Sequence, residues 1–411
     1  MSDQKGNYRI LIAGINYGCI LTMVRDLGRA GYPVDVLRVF RKKRNPMNII
    51  GNMAPESKSK YLNKYFCLDM EEDPAKLTEK LISIADPSAK TLLISVDDYI
   101  VSAIDDNYDI LSEYYVIPNI EERKGGITSA MDKDFQKRLA EEVGITMPKG
   151  GLIRISDGNV SLDEVPFPCF IKPNVSSGGS KLTMRKLATR EKAEKYLSSV
   201  GIDKAAEILA EEYIDIKDEY SLIGFIIGDQ VILPAAFRAT LPGHRERKGV
   251  AVMGELTDPG FLGEDLEKYK ELVRRTGFTG MFDIDLIMGM NGRVYFTEMN
   301  FRAGASVHAF TDMGVNIPAI FADCMLRGAD PESYSYAYSG TGTFVSEKAL
   351  LEEYVRNDIS SKTLKKSMKD AEIFFVKDDE DPEPFGYFGK YIRIASVLRI
   401  AYGVRDKARG R

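Results

Sequence analysis

The sequence has 411 residues, 44% of them hydrophobic and 28% charged, with a net charge of −5. These values are typical of a globular protein of two or three domains and give no reason to expect a nucleic-acid partner. The sequence contains two histidines, His244 and His308, so a histidine-rich metal site or a Ser-His-Asp triad is poorly supported.

Four cysteines lie far apart in apolar contexts and share no metal-binding spacing: Cys19, Cys67, Cys169 and Cys324. We expect buried free thiols in a reducing compartment. No charged-then-apolar leader opens the sequence, and no run of 18 apolar residues occurs in it. Together these features predict a cytoplasmic protein.

The N-terminal third predicts alternating strands and helices. An apolar strand over Tyr8–Ala13 precedes a helix-like run from Ile20 to Ala30 and a second strand over Val34–Val39. This order is a βαβ opening. The turn between the first strand and the helix lacks a complete G-x-G-x-x-G fingerprint, so a nicotinamide dinucleotide site is not indicated.

A further apolar strand, Leu92–Ser95, ends just before a pair of aspartates. Ligands of parallel sheets bind at the carboxyl ends of the strands. The residues that would line such a substrate crevice are Asn16, Tyr17, Asp97 and Asp98. The alternative is that Asp97 simply caps the following helix.

Two lysines follow in different local settings. Lys133 opens a helix that ends at Gly144, where it is either a solvated surface lysine or a functional one. Lys172 ends a short strand and precedes a Ser/Gly-rich loop over 173–180. The backbone amides of such a loop can cradle phosphate, with the lysine as counter-charge. The loop is not a Walker A motif, and a plain hairpin turn is the alternative.

Residues 208–249 predict a series of strands with a turn at Gly228-Asp229. A strand that ends at Glu211–Ile214 runs into a connector with Asp218 and Glu219, and Arg238 lies further along the hairpin. The polar loop over 241–249 is either a solvated turn or a mobile basic flap over anionic groups.

Glu298, Asn300 and Arg302 alternate along a strand-like segment and therefore share one face. A hairpin with its turn at Asn291-Gly292 would set Asp285 beside Glu298. Carboxylate and amide oxygens suit Mg²⁺, and an adjacent arginine suits an anion. The alternative is a structural ion-pair cluster, which is costly on an apolar strand.

In this order, the segments from about Met131 to Asp312 resemble the ATP-grasp superfamily. MDK at 131–133 and FIKPNVSSGGSK look like its two phosphate-binding lysines and glycine-rich loop, EEYI like its adenine-binding hinge, and KDEY like its ribose-binding acid. The resemblance implies a nucleotide site made of Lys133, Lys172, Ser177, Gly178, Gly179, Glu211, Glu212, Tyr213, Ile214 and Glu219, the last preferred over Asp218. It also implies a magnesium triad of Asp285, Glu298 and Asn300.

The implied fold class is an α/β N-terminal parallel-sheet domain, the pre-ATP-grasp domain, followed by an α+β two-subdomain ATP-grasp fold. The implied divisions are a βαβ domain over 1–120, a lid subdomain with the glycine-rich loop over 121–215, a subdomain with the metal site over 216–330, and a C-terminal extension over 331–411. The implied cofactors are ATP and Mg²⁺, with Mn²⁺ as a substitute. Homodimers are common in the superfamily.

The resemblance also implies a ligase that phosphorylates a small-molecule carboxylate and then joins it to an amine. Its predicted catalytic residues are Arg302, Lys172 and Arg238. Asp283 stands where D-alanine–D-alanine ligases carry an arginine, which argues against that activity. The EMNFRAGAS, SVDDY and DDEDPEPF segments look most like the D-aspartate ligase type, which joins an amino acid to a cell-wall precursor peptide.

Three alternatives stay open: a ligase of another amino-acid or sugar-linked carboxylate, a thioester-forming ligase, and a non-catalytic nucleotide-binding sensor. No nucleophile-and-base pair lies near Arg302 apart from His308, so a covalent acyl-enzyme is not expected. His308 either contacts substrate or is a core or capping histidine.

The C-terminal end combines an acidic patch over 378–383 with a basic run. Between Lys390 and Arg411 there are seven Lys/Arg residues and one Asp. Four apolar residues share roughly one helical face: Ile392, Val397, Leu398 and Ala401. This pattern predicts either weak contact with an anionic membrane surface or a helix packed on the core with a frayed end.

Overall fold

The fold is taken from a computed structural model, which describes residues 7–40, 50–69, 74–154, 162–174, 184–199, 207–243, 251–338, 340 and 342–408. Ser177, Gly178 and Gly179 of the predicted phosphate loop lie outside the described residues, as does His244 with most of the predicted basic flap.

The N-terminal region is a parallel sheet with helices. Its strands are β1 (Tyr8–Gly14), β2 (Val34–Phe40), β3 (Leu62–Asp69) and β4 (Lys90–Ser95), paired in the order β3-β2-β1-β4. Its helices are Tyr17–Arg29, Pro74–Ile84, Asp98–Asp105 and Tyr108–Leu111, with a 3₁₀ turn at Pro55–Lys58. The predicted βαβ opening is confirmed, and the strand before the predicted aspartate pair is β4. Strand β3 was not predicted, because as an edge strand it alternates only weakly between buried and exposed residues.

A smaller antiparallel sheet follows. After β5 (Asn119–Ile120), its strands are β6 (Gly150–Arg154), β7 (Cys169–Pro173), β8 (Arg185–Leu187) and β9 (Glu207–Glu212), in the order β6-β9-β7-β8. The neighbouring helices are Gly126–Ala130, Lys133–Glu142 and Arg190–Ser199. Lys172 therefore lies on an interior strand of this sheet, and its side chain extends toward the largest sheet of the molecule.

The largest sheet contains two long hairpins. Its strands are β10 (Ile216–Ile227), β11 (Gln230–Pro242), β12 (Ala251–Thr257), β13 (Phe278–Gly289), β14 (Val294–Asn300), β15 (Thr343–Val345) and β16 (Ile373–Phe374), in the order β14-β13-β10-β11-β12-β15-β16. The short strand β5 also belongs to this sheet and pairs with β13 outside that order. Gly228 and Gly292 have positive φ values of 56° and 78° in the two predicted turns, a conformation that glycine adopts without steric cost. The associated helices are Asp265–Arg275, Val307–Asp312 and Ile317–Arg327, with 3₁₀ turns at Pro259–Leu262 and Pro331–Ser333.

The last eighty residues are integrated into the fold. β15 and β16 extend the largest sheet, and helices cover Glu347–Val355, Ser361–Asp370 and Glu383–Ala408. The final helix buries Phe388 and Ala395, whereas Val397 and Ile400 are 65% and 69% exposed. Within the described ranges, no helix is both long and apolar enough to cross a membrane.

The cysteine prediction is correct for three residues and wrong for one. Cys19, Cys169 and Cys324 are buried free thiols, but Cys67 is exposed. Cys67 lies on the edge strand β3, where apolar neighbours in the sequence do not imply burial on both faces.

Candidate functional site

A cleft of about 340 Å³ separates the smaller antiparallel sheet from the largest one. Its lining includes nine of the residues predicted to bind nucleotide or metal: Lys133, Lys172, Glu211, Glu212, Tyr213, Ile214, Glu219, Asp285 and Glu298. These residues come from a helix and several strands that are far apart in the sequence. The fold therefore brings together what the sequence predicted piece by piece.

The cleft also has an apolar part that the sequence did not reveal. Phe170, Ile216 and Leu286 line it together with Met184 and Phe237. Each comes from a different strand or its flank; Phe170, Phe237 and Leu286 lie in apolar runs that also fit a plain core, whereas Ile216 and Met184 are single apolar residues with polar neighbours. Such a surface suits a flat heterocyclic ring.

The segment Glu211–Ile214 has most of its backbone donors engaged. The amide of Glu212 donates to the Lys149 carbonyl at 2.7 Å, and that of Tyr213 donates to the Pro168 carbonyl at 2.8 Å. Across the described chain, no protein acceptor lies in reach of the Ile214 amide. This donor borders the cleft and is available to a ligand.

Each of the two lysines predicted to bind phosphate forms an ion pair with a carboxylate. Lys133 Nζ lies 2.7 Å from Glu298 Oε2, and Lys172 Nζ lies 2.9 Å from Glu211 Oε2. Lys172 also approaches the Thr297 carbonyl at 3.5 Å. Both lysines are buried, whereas Glu298 is 30% exposed toward the cleft. An anionic ligand would compete with the carboxylates for these lysines.

The predicted hairpin places the metal candidates as expected. Asp285 pairs directly with Glu298 across β13 and β14, and Asn300 Nδ2 donates to Asp285 Oδ2 at 3.1 Å. Ser221 Oγ donates to the other Asp285 oxygen at 3.1 Å. Burial, with repulsion from Glu298, raises the pKa of Asp285 to about 8. Burial also raises the pKa of Glu298, but Lys133 and the other nearby cations outweigh it, and the net pKa lies below its ordinary value.

This donor set fits a magnesium ion. Two carboxylates and an amide supply hard oxygen donors, and Mg²⁺ takes few such donors from protein while keeping others from water or phosphate. Burial first, and then repulsion from Glu298, raise the pKa of Asp285, and a bound cation would favour its charged form. Asp285, Glu298 and Asn300 are thus the residues that would hold the metal.

Arg302 does not itself line the cleft; it lies two residues after Asn300, borders a smaller second cavity, and is held from several sides. Its Nε donates to Asp98 at 3.0 Å, Nη1 to Asp283 at 3.2 Å and Nη2 to Asn300 at 3.3 Å. Burial lowers the pKa of Arg302, but Asp98 and Asp283 outweigh it and raise the net value. These bonds use three of the five N–H donors of the guanidinium, so two remain for a substrate anion.

Arg238, the third predicted catalytic residue, does not line the cleft. Its guanidinium lies 2.5 Å from Glu255 and 3.3 Å from Asp218, and its side chain is 38% exposed. Asp218 is thereby held away from the cleft, whereas Glu219 lines it. This placement agrees with the preference for Glu219 over Asp218 as the ribose acid.

The predicted crevice at the end of β1 differs from expectation. Asn16 caps the first helix by accepting from the Gly18 amide at 3.1 Å, and Tyr17 is fully buried. Asp97 does not cap its own helix; it accepts the amides of Ile15 at 2.5 Å and Asn16 at 3.1 Å. These three residues fix the turn after β1, and of the four predicted crevice residues Asp98 is the one that bonds to Arg302.

His308 is a core histidine. It is 1% exposed, and its Nδ1 lies 2.6 Å from Asp26 Oδ1 on the first helix. His308 does not line the cleft, which favours the core role over contact with substrate. Local sequence patterns do not predict this pairing, since Asp26 lies 282 residues away.

Sequence reasoning missed Gln136, which fixes the helix Lys133–Glu142 to β14. Its Nε2 donates to the Met299 carbonyl at 3.0 Å, and its Oε1 accepts the Met299 amide at 2.8 Å. Met299 lies between Glu298 and Asn300, so this clamp sets the position of the metal strand against Lys133. A lone glutamine in an amphipathic helix carries no signal for such a contact.

No family model matches the chain. It is 24% identical over 241 residues to a D-alanine–D-alanine ligase of Campylobacter jejuni, covering 56% of this chain and 68% of the relative. It is also 24% identical over 252 residues to a formate-dependent phosphoribosylglycinamide formyltransferase of Ignicoccus hospitalis, covering 58% of this chain and 60% of that protein.

Solved structures resemble a larger part of the chain. An L-amino acid ligase from Bacillus licheniformis has a TM-score of 0.59 at 13% identity, covering 82% of this chain and 78% of that one. A biotin carboxylase complex with βγ-ATP from Campylobacter jejuni has a TM-score of 0.59 at 15% identity, covering 81% and 74%. The structural likeness confirms the predicted ATP-grasp fold, and the sequence relatives agree with the predicted class of enzyme, a ligase that forms carbon–nitrogen bonds.

Proposed function

We propose that this chain is an ATP-dependent ligase that activates a carboxylate as an acyl phosphate and joins it to an amine. The observation that carries the proposal is the convergence of Lys133, Lys172, Asp285 and Glu298 on one cleft with an apolar slot. Two lysines for phosphate, two carboxylates for a metal and a slot for a heterocycle are the parts that phosphoryl transfer from ATP requires.

In this proposal the apolar slot takes adenine, with the Ile214 amide as hydrogen-bond donor and Glu219 as partner of the ribose. Lys133 and Lys172 leave Glu298 and Glu211 to neutralise phosphate oxygens. ATP and magnesium were the predicted cofactors, and the relatives support both; a 2-oxoglutarate carboxylase domain from Hydrogenobacter thermophilus with a TM-score of 0.58 was solved with MgADP.

Asp285, Glu298 and Asn300 would hold magnesium, which would supply positive charge against the phosphates during the transfer. In this proposal Arg302, which lies beside Asn300, holds the carboxylate and then the charge that develops on the acyl phosphate. Asp98 and Asp283 keep its guanidinium fixed, so little reorganisation is needed at the moment of reaction. Arg238 contributes from outside the cleft, by holding Asp218 and Glu255.

For the substrates, we propose an amino acid that is joined to a cell-wall or peptide-like acceptor, as in the D-aspartate ligase type. The relatives that act on amino acids support this class. A ligase of another amino-acid or sugar-linked carboxylate is the closest alternative. A thioester-forming ligase would need a thiol in place of the amine, and a non-catalytic sensor would bind ATP without turnover.

The test is release of ADP with a panel of D- and L-amino acids, with and without candidate carboxylates. With the right carboxylate and no amine, hydroxylamine should trap the acyl phosphate as a hydroxamate, and label should exchange slowly between ATP and ADP. A hydroxamate that forms only when the amine is also present would contradict the proposed order. An acyl group found on the protein would overturn the mechanism.

The C-terminal helix suggests a partner for the proposed enzyme. The four residues predicted to share one face do not do so, because Val397 is 65% exposed whereas Leu398 packs against the core. The exposed apolar side chains on the side of the helix away from Phe388 and Ala395 are Ile394, Val397 and Ile400, at 41%, 65% and 69%. This apolar stripe among basic residues supports weak contact with an anionic surface. Vesicles of phosphatidylglycerol should retain the protein at low salt more than vesicles of phosphatidylcholine, and Val397→Asp should abolish the difference. Equal retention on both, or dimerisation through this helix, would contradict the contact.

A further inference from the structure

Lys137 lies one helical turn after Lys133 and faces the same way, because residues four apart share a helix face. Its ammonium donates to the carbonyls of Pro148 at 2.9 Å and Gly150 at 2.5 Å. It also lies 3.8 Å from Glu211 Oε1. Lys137 is buried, and it is not part of the cleft lining.

Glu211 is thus placed between two lysines. Its Oε2 lies 2.9 Å from Lys172 on the cleft side, and its Oε1 faces Lys137 from behind. Oε1 is buried and, as far as the described residues go, has no hydrogen-bond partner at normal distance. The positive charge of Lys137 makes the net potential that Lys172 experiences less negative than Glu211 alone would make it.

We infer that Lys137 is a positioning residue for the phosphate lysine Lys172 and acts through Glu211; this inference rests on the proposed ATP site. With Lys137 in place, Glu211 holds Lys172 weakly enough for phosphate to take it over. Without Lys137, the net potential at Lys172 is more negative, so the ammonium leaves Glu211 less readily for a phosphate. Lys137 also fixes Pro148, which lines the cleft, through its carbonyl.

Calorimetric binding of ADP and of AMP in the presence of Mg²⁺ tests this, since neither experiment needs the unknown substrates. Lys137→Met should weaken ADP binding about tenfold, the range of coupling for charges in contact. AMP binding should change far less, because AMP has one phosphate fewer than ADP for Lys172 to neutralise. Arg138→Met, which removes an exposed cation from the neighbouring position of the same helix, should change neither affinity.

A double-mutant cycle sharpens the assignment. If Lys137 acts through Glu211, the effect of Lys137→Met on ADP binding should vanish in a Glu211→Gln background. Lys137→Arg, which keeps the charge, should preserve the preference for ADP over AMP. If Lys137→Met does not fold, Lys137→Gln keeps a donor for the Pro148 and Gly150 carbonyls without the charge and carries the same expectation.

Equal losses for ADP and AMP in the Lys137 variants would show a merely structural role and overturn the inference. Unchanged ADP binding in Lys137→Met would overturn it as well, and so would a tenfold loss that persists in the Glu211→Gln background. Failure of the unaltered protein to bind either nucleotide would instead refute the ATP site itself, so the two failures are distinguishable.

Discussion

The cleft and the C-terminal seam both join distant parts of the chain with ion pairs, but they place those pairs differently. The seam is the contact between the first helix, Tyr17–Arg29, and the segment 375–381. There Arg25 is fully buried; it donates to Asp381 at 3.0 Å and to the carbonyls of Phe375 and Val376. In the cleft, Glu298 is 30% exposed beside Lys133.

This difference separates a permanent contact from one that a ligand can exchange. The Arg25 guanidinium has no access to solvent, so every donor must be satisfied by the protein itself. Glu347 adds to the seam by accepting the amides of Phe375, Val376 and Lys377 at 2.8 to 3.1 Å. The cleft pairs face a cavity and can trade a carboxylate for phosphate or a metal. We therefore expect seam variants to lose stability and cleft variants to lose activity.

The largest effect should follow from breaking the seam. Arg25→Met leaves Asp381 buried without its cation, so the free energy of unfolding should fall by about 4 kcal/mol. Chemical denaturation measures this. Arg29→Met is the matched control in the same helix, because Arg29 is 24% exposed and should cost much less. If both variants lose the same stability, burial does not set the strength of the seam.

Removal of a cleft carboxylate should lower activity and leave stability nearly unchanged. Glu298→Gln should reduce ADP formation about a hundredfold or more, since little else offsets phosphate charge when a metal ligand is lost. Its melting temperature should stay close to that of the unaltered protein, because the side chain is partly solvated. Asn300→Ala should behave in the same way. Near-normal turnover in either folded variant would refute the metal assignment.

The sequence predicted the cleft better than the seam for a physical reason. Glu298, Asn300 and Asp285 lie on two strands of one hairpin, where strand alternation and a glycine turn determine which side chains meet. Arg25 and Asp381 are 356 residues apart, and the acidic patch over 378–383 reads as solvated surface in the sequence. Two of its aspartates, Asp378 and Asp381, instead pair with buried or half-buried arginines.

The predictions for the N-terminal crevice failed because they too depended on contacts between distant parts of the chain. Asp97 follows a strand and precedes a helix, a position that equally predicts a cap or a ligand contact. Its carboxylate instead fixes the turn after β1. This is possible because the segment at Gly14 and the segment after β4 approach each other so closely that a side chain at position 14 would collide with Val96 and Asp97. That proximity depends on the order of strands in the sheet, which local patterns do not specify.

A moderate effect should distinguish a residue that binds ATP from a residue that supports turnover. Lys172→Ala should weaken ATP binding about tenfold, because the lysine is expected to leave Glu211 for a phosphate. Arg302→Ala should leave ATP binding nearly unchanged and lower turnover, since its guanidinium lies toward Asp98 and the N-terminal sheet. Calorimetry with ATP and an ADP-release assay measure the two effects. Equal losses of ATP affinity would contradict separate roles.

The smallest effect concerns pH and lies where His308 meets the first helix. Burial lowers the pKa of His308, but Asp26 outweighs it and the net pKa lies above its ordinary value; Asp312 also raises it and Arg29 opposes it. The folded protein therefore binds a proton more tightly than the unfolded chain does. This contribution to stability is complete below the unfolded pKa and is lost as the pH rises through the folded one.

The free energy of unfolding should therefore decline as the pH rises above the pKa of free histidine. For one proton, the decline is at most about 1.4 kcal/mol per pH unit. His308→Gln should lack this contribution. Asp26→Asn is the sharper variant, because it leaves burial as the main influence on the ring. Its histidine should then resist protonation in the folded state, and the sign of the slope should reverse over the range below the unfolded pKa. The same slope in all three proteins would mean that folding does not change the affinity of His308 for a proton, and that Asp26 does not stabilise the charged imidazole.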